Sequence, residues 1–142
     1  MSLETPALDD TGPLVAALLA VDPQGLGGVV LRAPACEQRS RWLDLLRSYQ
    51  SPGTPWRRLP LHADAGALLG GLDLGASLQR GQAVAQPGLL AQAHGGWLLL
   101  PMAERTPPHM AAQLAAVLDT QQVQLQREGL ALTLPARVAL VH

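Results

Sequence analysis

Apolar residues recur along this chain in two alternating rhythms. In "GPLVAALLAVDP", Leu14, Leu18 and Val21 fall on one helical face, with Pro13 tolerated in the first turn and Asp22-Pro23 ending the segment. The run "GGVVLRAP" is short, apolar and bounded by Gly and Pro, which predicts a first strand over Gly28 to Arg32. Trp42, Leu45, Leu46 and Tyr49 then return at helical spacing until "SPGTP" breaks the pattern. Beyond the break, "WRRLPL" predicts an edge-like second strand, and "LDLGASLQRG" a short helix with Leu74 and Leu78 one turn apart.

The continuous apolar run "GGWLLLP" is what a parallel strand covered on both faces requires, and it is the best candidate for the centre of a sheet. In "TPPHMAAQLAAVLDT", Thr106 can cap and Pro107 can start a helix whose face is Met110, Leu114, Val117 and Leu118. The rhythm next switches to period two: Val123 and Leu125, a turn at Arg127 to Gly129, then Leu130, Leu132 and Leu134, which predicts a β-hairpin. "RVALV" closes the series as another buried strand. Strands alternating with helices imply an α/β sandwich with a mostly parallel sheet, and the hairpin is an insertion before its last visible strand.

Composition narrows the function classes. The 142 residues, 48% of them hydrophobic, suffice for one domain, spanning 1–142, with a single core. The longest apolar runs fall short of the roughly 18 residues that cross a bilayer, and the acidic "MSLETPALDD" has no targeting pattern, so a cytoplasmic protein without membrane contact is expected. A net charge of -1 without a dense basic run argues against nucleic acid as a partner. Cys36 is the only cysteine, which excludes an internal disulfide and a cysteine-based zinc cluster. His62, His94, His109 and His142 show no ligand spacing, so no metal site is expected. All 10 basic residues are arginines, and lysine is absent.

That absence bears on the segment after the first strand. A phosphate-binding loop reads G-x-x-x-x-G-K-[ST]: its glycines let backbone N–H groups approach phosphate, its lysine reaches the outer phosphates and its hydroxyl holds magnesium. Here the frame falls on Ala33, Pro34, Ala35, Cys36, Glu37, Gln38, Arg39 and Ser40, and only the hydroxyl survives. Ala33 and Gln38 replace the glycines, Pro34 removes an N–H, and Glu37 brings negative charge to a place meant for a polyanion. Arg39 keeps a charge, but its planar fork does not substitute for a compact ammonium. The second half of such a site is a buried strand ending in Asp-Glu, which orients magnesium and polarises the attacking water. The strand here ends instead in Pro101 and Met102, which can do neither, and Glu104 two residues on reads as a solvated side chain. No residue is assigned a catalytic role.

Three segments, "LLAVDPQGLGGVVLRAP", "LLGGLDLGASLQRGQAVAQPGLLAQAHGGWLLLPMAE" and "LAAVLDTQQVQLQREGLALTLPARVALV", resemble the N-terminal AAA+ domain of the magnesium chelatase D subunit. The resemblance runs from about Leu14 to Val141, and its most specific elements are "GGLDL", "PGLLAQAHGG" and "REGLALTLPAR". These also resemble the sister I subunit, whose loop and second strand are intact, so the degeneracy itself points to D. The resemblance implies a three-layer αβα P-loop NTPase-like core. It also implies a place in the complex that uses ATP to insert Mg²⁺ into protoporphyrin IX, the entry to chlorophyll or bacteriochlorophyll. In that complex the I subunit hydrolyses ATP, and D links it to the large porphyrin-binding subunit. ATP and Mg²⁺ act in the complex, with neither assigned to this chain. The family's sensor residue, arginine finger, helical lid and metal-ion-dependent adhesion site find no counterpart, so a chain truncated before the lid is expected.

Other features are weaker. Arg57-Arg58 can bind an anion or simply keep a strand edge soluble, and Arg137 can hold a subunit interface or a local ion pair. The leucine-rich faces are expected to form core. Three functional classes stay open: a non-hydrolysing assembly domain, an ATP-binding but slow enzyme kept alive by Ser40 and Arg39, and an unrelated protein-interaction or regulatory module.

Overall fold

A computed structural model describes residues 8–127 and 130–141. The elements run α1 (Leu8–Val21), α2 (Pro23–Leu26), β1 (Gly28–Val29), α3 (Glu37–Ser48), β2 (Trp56–Arg58), α4 (Ala65–Leu69), β3 (Gly70–Leu72) and α5 (Leu74–Arg80). They continue with β4 (Ala85–Pro87), α6 (Leu89–Gln92), β5 (Trp97–Leu99), a 3₁₀ turn (Ala103–Arg105), α7 (Pro108–Thr120), β6 (Gln122–Arg127), β7 (Leu130–Pro135) and β8 (Ala139–Val141).

Four strands form a parallel sheet in the order β1-β8-β5-β2. From β1 the chain crosses by α3 to β2 at the far edge; from β5 it returns by α7 and the β6–β7 hairpin to β8, which slots between β1 and β5. All four C-terminal strand ends therefore lie along one edge. As the apolar run requires, β5 is central, with Trp97 opposite Ala139, Leu98 opposite Leu140 and Leu99 opposite Val141 on β8.

Side-chain alternation along β5 and β8 divides the core in two. Trp97, Ala139 and Val141 face α1 and α3, where Ala16, Leu19, Trp42 and Leu46 complete one cluster. Leu98, Leu100, Val138 and Leu140 face the other way, against Leu68 of α4, Leu90 of α6, Met110, Leu114 and Val117 of α7 and Val123 of β6. This is a three-layer α/β arrangement. The hairpin runs as expected, Val123 opposite Leu134 and Leu125 opposite Leu132, while its turn at Glu128 and Gly129 lies outside the described residues, as does His142.

Several expectations are corrected. The face of α1 turned to the core is Ala16 and Leu19; Leu14, Leu18 and Val21 are 61%, 55% and 83% exposed. The reason is close packing of α1 on α3, where the Trp42 indole N–H donates to the Gly12 carbonyl at 2.8 Å. That contact turns the Gly12, Ala16 and Leu19 face inward, which leaves Leu14, Leu18 and Val21 outside. The helix also begins at Leu8, which puts Pro13 inside it rather than in its first turn. Strand β1 stops at Val29, whose partner is Val141, the last described residue of β8. Helix α3 ends at Ser48, with Tyr49 as its exposed C-cap. Pro107, not Thr106, is the N-cap of α7, because Thr106 closes the preceding 3₁₀ turn. Leu74 and Leu78 lie on α5 as expected, but both are exposed rather than part of a core.

One glycine is indispensable to the sheet. Gly28 has φ +130°, and a Cβ there would stand 2.0 Å from the Leu140 carbonyl oxygen, so only glycine lets β1 lie this close to β8.

The division between core and surface leucines gives a direct test. Leu46→Ala, at a fully buried position, is expected to cost about 2–5 kcal/mol in urea unfolding, whereas Leu78→Ala, 84% exposed, should change stability by no more than about 0.5 kcal/mol.

Candidate functional site

The edge formed by the strand C-termini is where open α/β sheets place their ligands. Two segments of interest converge on it: the loop from β1 into α3, and the turn that follows β5.

The loop delivers Cys36 as the N-cap of α3, in extended conformation and without a side-chain cap bond. Ser40, the one surviving hydroxyl of the phosphate-loop frame, sits a full turn into the helix. Its backbone N–H donates to the Cys36 carbonyl at 3.2 Å, and its Oγ donates to the same oxygen at 3.4 Å. The hydroxyl is thus turned back on its own helix. Glu37 is held by the Arg41 guanidinium across one turn, and both side chains are exposed. Arg41 therefore offsets part of the negative charge that Glu37 brings to this loop. The pair itself is an i,i+4 surface contact and adds little stability.

Beside this first turn lies an open cleft of about 250 Å³ between α1 and α3, lined by Pro13, Leu31, Gln38, Arg39, Arg41 and Trp42. Arg39 is therefore at a cavity rather than on an open face. Of the other frame positions, Ala33 and Cys36 are half-buried, and Pro34, Ala35, Glu37 and Gln38 are exposed.

The second segment is apolar throughout. Strand β5 continues through buried Leu100 into a turn at Pro101 and Met102. Met102 adopts φ 52°, ψ 50°, a left-handed conformation that a side chain with a Cβ rarely takes, and it is 43% exposed. Glu104 follows in the 3₁₀ turn and is exposed, as its reading as a solvated residue expects.

Magnesium nucleotide is thus a poor fit to the residues present. The frame has no ammonium, the hydroxyl is engaged with Cys36, and the side chains of the turn after β5 are a pyrrolidine ring and a thioether where magnesium needs hard oxygen ligands. Among the described residues no cluster of three or more His, Cys, Asp or Glu is placed to hold a metal.

The remaining candidates resolve locally. His94 Nδ1 accepts from the Arg137 backbone N–H at 3.0 Å, while Gly95 N–H donates to the Arg137 carbonyl at 2.8 Å, which ties the turn before β5 to the segment entering β8. Arg57 donates through Nε to Gln92 Oε1 at 3.3 Å and through Nη1 to the Trp56 carbonyl at 3.1 Å. His62 and His109 are exposed and apart from these groups. Sequence reasoning missed α4 and its setting after β2; the signal was Asp64, whose carboxylate accepts from the Ala67 N–H at 2.8 Å in a plain N-cap. Asp73 caps α5 in the same way, at 3.0 Å from the Ala76 N–H.

The architecture is that of an AAA+ domain, with the Ala33–Ser40 segment and the turn after β5 at one edge of its parallel sheet. In a cryo-EM-based structure of the complex between subunits BchI and BchD of magnesium chelatase, one chain superposes with a TM-score of 0.71 and 26% identity, over 92% of this chain and 50% of that one. The magnesium-chelatase 60 kDa subunit of Rhodobacter capsulatus is 42% identical over 106 residues, or 75% of this chain and 18% of the relative. The 38 kDa subunit of the same organism is 30% identical over 131 residues, or 89% of this chain and 37% of the relative. No protein-family profile matches the chain. The chain belongs to the family of magnesium-chelatase AAA+ subunits, with kin among both the larger D-type and the smaller I-type members. It spans about a fifth of the 60 kDa relative's length.

The left-handed turn residue supplies a test of the site's local geometry. Met102→Gly relieves the backbone strain at φ 52° and is expected to raise stability by up to about 1 kcal/mol in urea unfolding; a loss of that size would show that the Met102 side chain holds the turn.

Proposed function

We propose that this chain is the N-terminal AAA+ domain of a D-type magnesium-chelatase subunit, and that it serves as a platform which does not hydrolyse ATP. In this reading it braces an ATP-hydrolysing I subunit in the cytoplasm during insertion of Mg²⁺ into protoporphyrin IX, with the large porphyrin-binding subunit reached through the full-length chain. The product enters chlorophyll or bacteriochlorophyll synthesis. The observation that supports the reading is the turn after β5, where the chain presents Pro101 and Met102 and no acid at the place the resemblance gives to the magnesium-orienting and water-polarising residues. Phosphoryl transfer relies almost wholly on positioning and charge stabilisation, and this turn supplies neither.

Exposed apolar surface supports an assembly role. Leu14, Leu18 and Val21 form a stripe on α1, a helix without a single charged residue from Thr11 to Val21, and Leu74 and Leu78 form a second on α5. A helix apolar on all sides is normally covered. One observation favours a second reading, an ATP-binding but slow site: Arg39 lines the 250 Å³ cleft beside the first turn of α3.

Steady-state turnover tests the reading. The purified chain is expected to show no magnesium-dependent ATPase activity above background, and turnover abolished by Ser40→Ala would establish the second reading instead. Sedimentation with an I subunit and ATP tests the platform role: a heteromer is expected at tens of micromolar. Its absence, where a full-length D subunit does assemble, would place the interface outside this chain.

A further inference from the structure

The strand ends carry a second concavity, distinct from the cleft beside α3. A notch of about 100 Å³ opens where β2 and β5 finish, walled by Leu59, Leu61, Ala63, Leu100, Pro101 and Met110. Its size suits one aliphatic side chain, being smaller than the roughly 150 Å³ cavity that accepts a benzene ring. Two features at its mouth set it apart from a packing defect. Met102, also in its lining, is held 43% exposed by a left-handed backbone, so a flexible apolar side chain is kept at the entrance instead of folding into the core. Arg105 is part of the same lining, fixed by its backbone N–H donating to the Met102 carbonyl at 2.9 Å. Its guanidinium has neither a salt bridge nor a side-chain hydrogen bond among the described residues.

We propose that this notch is a peptide-docking site, taking a partner segment that presents one leucine- or methionine-sized side chain beside a carboxylate. The aliphatic group would fill the space between Leu59, Leu100 and Met110, and the carboxylate would pair with Arg105. A guanidinium can hold a carboxylate through two parallel bonds, which fixes the direction of the segment as well as its charge. Met102 adapts its thioether around the entering group. The proposal deepens the platform reading, on which it rests for the existence of a partner: positions that would have served magnesium and water would instead hold a neighbour's chain.

The test is a titration of the chain, with its methionine methyl groups labelled with carbon-13, by short blocked peptides containing Leu-Asp, Leu-Asn or Ala-Asp. The Leu-Asp peptide should shift the Met102 and Met110 methyl resonances with an affinity on the order of millimolar, as expected of one buried side chain and one exposed ion pair. Leu-Asn should bind about two- to fivefold more weakly, and Ala-Asp should not saturate. Arg105→Ala, at an exposed position, should abolish the difference between Leu-Asp and Leu-Asn, and Ala63→Leu should block the site while the remaining spectrum stays dispersed. Absence of any shift at Met102 and Met110 with tens of millimolar Leu-Asp peptide would overturn the proposal, as would an Asp preference that survives Arg105→Ala. Neither result touches ATP turnover, so failure here leaves the non-hydrolysing reading standing, and turnover by the chain would end that reading without bearing on the notch.

Discussion

Strand β5 lies between β8 and β2 with Trp97 and Leu98 fully buried on opposite faces, and every layer of the fold is built on it. Trp97 sets the depth of the α1–α3 layer, where it stacks on Trp56 with ring centroids 5.5 Å apart, and Arg47 of α3 covers the outer face of Trp56 at 4.9 Å. Leu98 sets the depth of the opposite layer of α4, α6, α7 and the hairpin. Because the strand is covered on both sides, a register slip of one residue would exchange the indole for a leucine in both layers at once. The end of β5 is therefore fixed in space by packing on both of its faces.

That rigidity separates scaffold from site. Four close-packed strands bring the phosphate-loop segment and the turn after β5 to the same edge, as in a working nucleotide site. The groups they deliver are a back-bonded Ser40, a Glu37–Arg41 pair and an apolar Pro101–Met102 turn. The Glu37 charge is partly offset by Arg41, and Arg39 is the cation left beside the cleft. A guanidinium beside the cleft can attract a phosphate, but it cannot bind magnesium or polarise water. What the edge does present is apolar surface and, at Arg105, a guanidinium without an ion-pair partner among the described residues.

Much of this was legible in the sequence because burial on two faces leaves a strong pattern. "GGWLLLP" was the best candidate for a central strand, and the period-two run from Val123 to Leu134 predicted the hairpin; both are found. The frame from Ala33 to Ser40 does enter a helix, as its place after the first strand required. The face of α1 was not legible, since Leu14, Leu18 and Val21 repeat at the same spacing as Ala16 and Leu19. Hydrophobicity alone cannot tell that the contact between Gly12 and Trp42 turns the Ala16 and Leu19 face inward. The short elements β3, β4, α4 and α6 were hidden for a different reason: each is only three to five residues long, too brief for periodicity, and the Asp64 cap was the signal for α4, whereas α5 was legible from Leu74 and Leu78. The notch was invisible because Leu59, Leu100, Arg105 and Met110 come from three separate segments.

The central proposal is that the ligand edge of this AAA+ domain does not hold magnesium nucleotide. Titration calorimetry of the chain with ATP and Mg²⁺ tests it most directly. The account predicts no saturable heat below about millimolar ATP, the range in which an isolated guanidinium holds a polyanion only weakly. Micromolar binding that disappears with Arg39→Ala would contradict it and make the cleft between α1 and α3 a working nucleotide site.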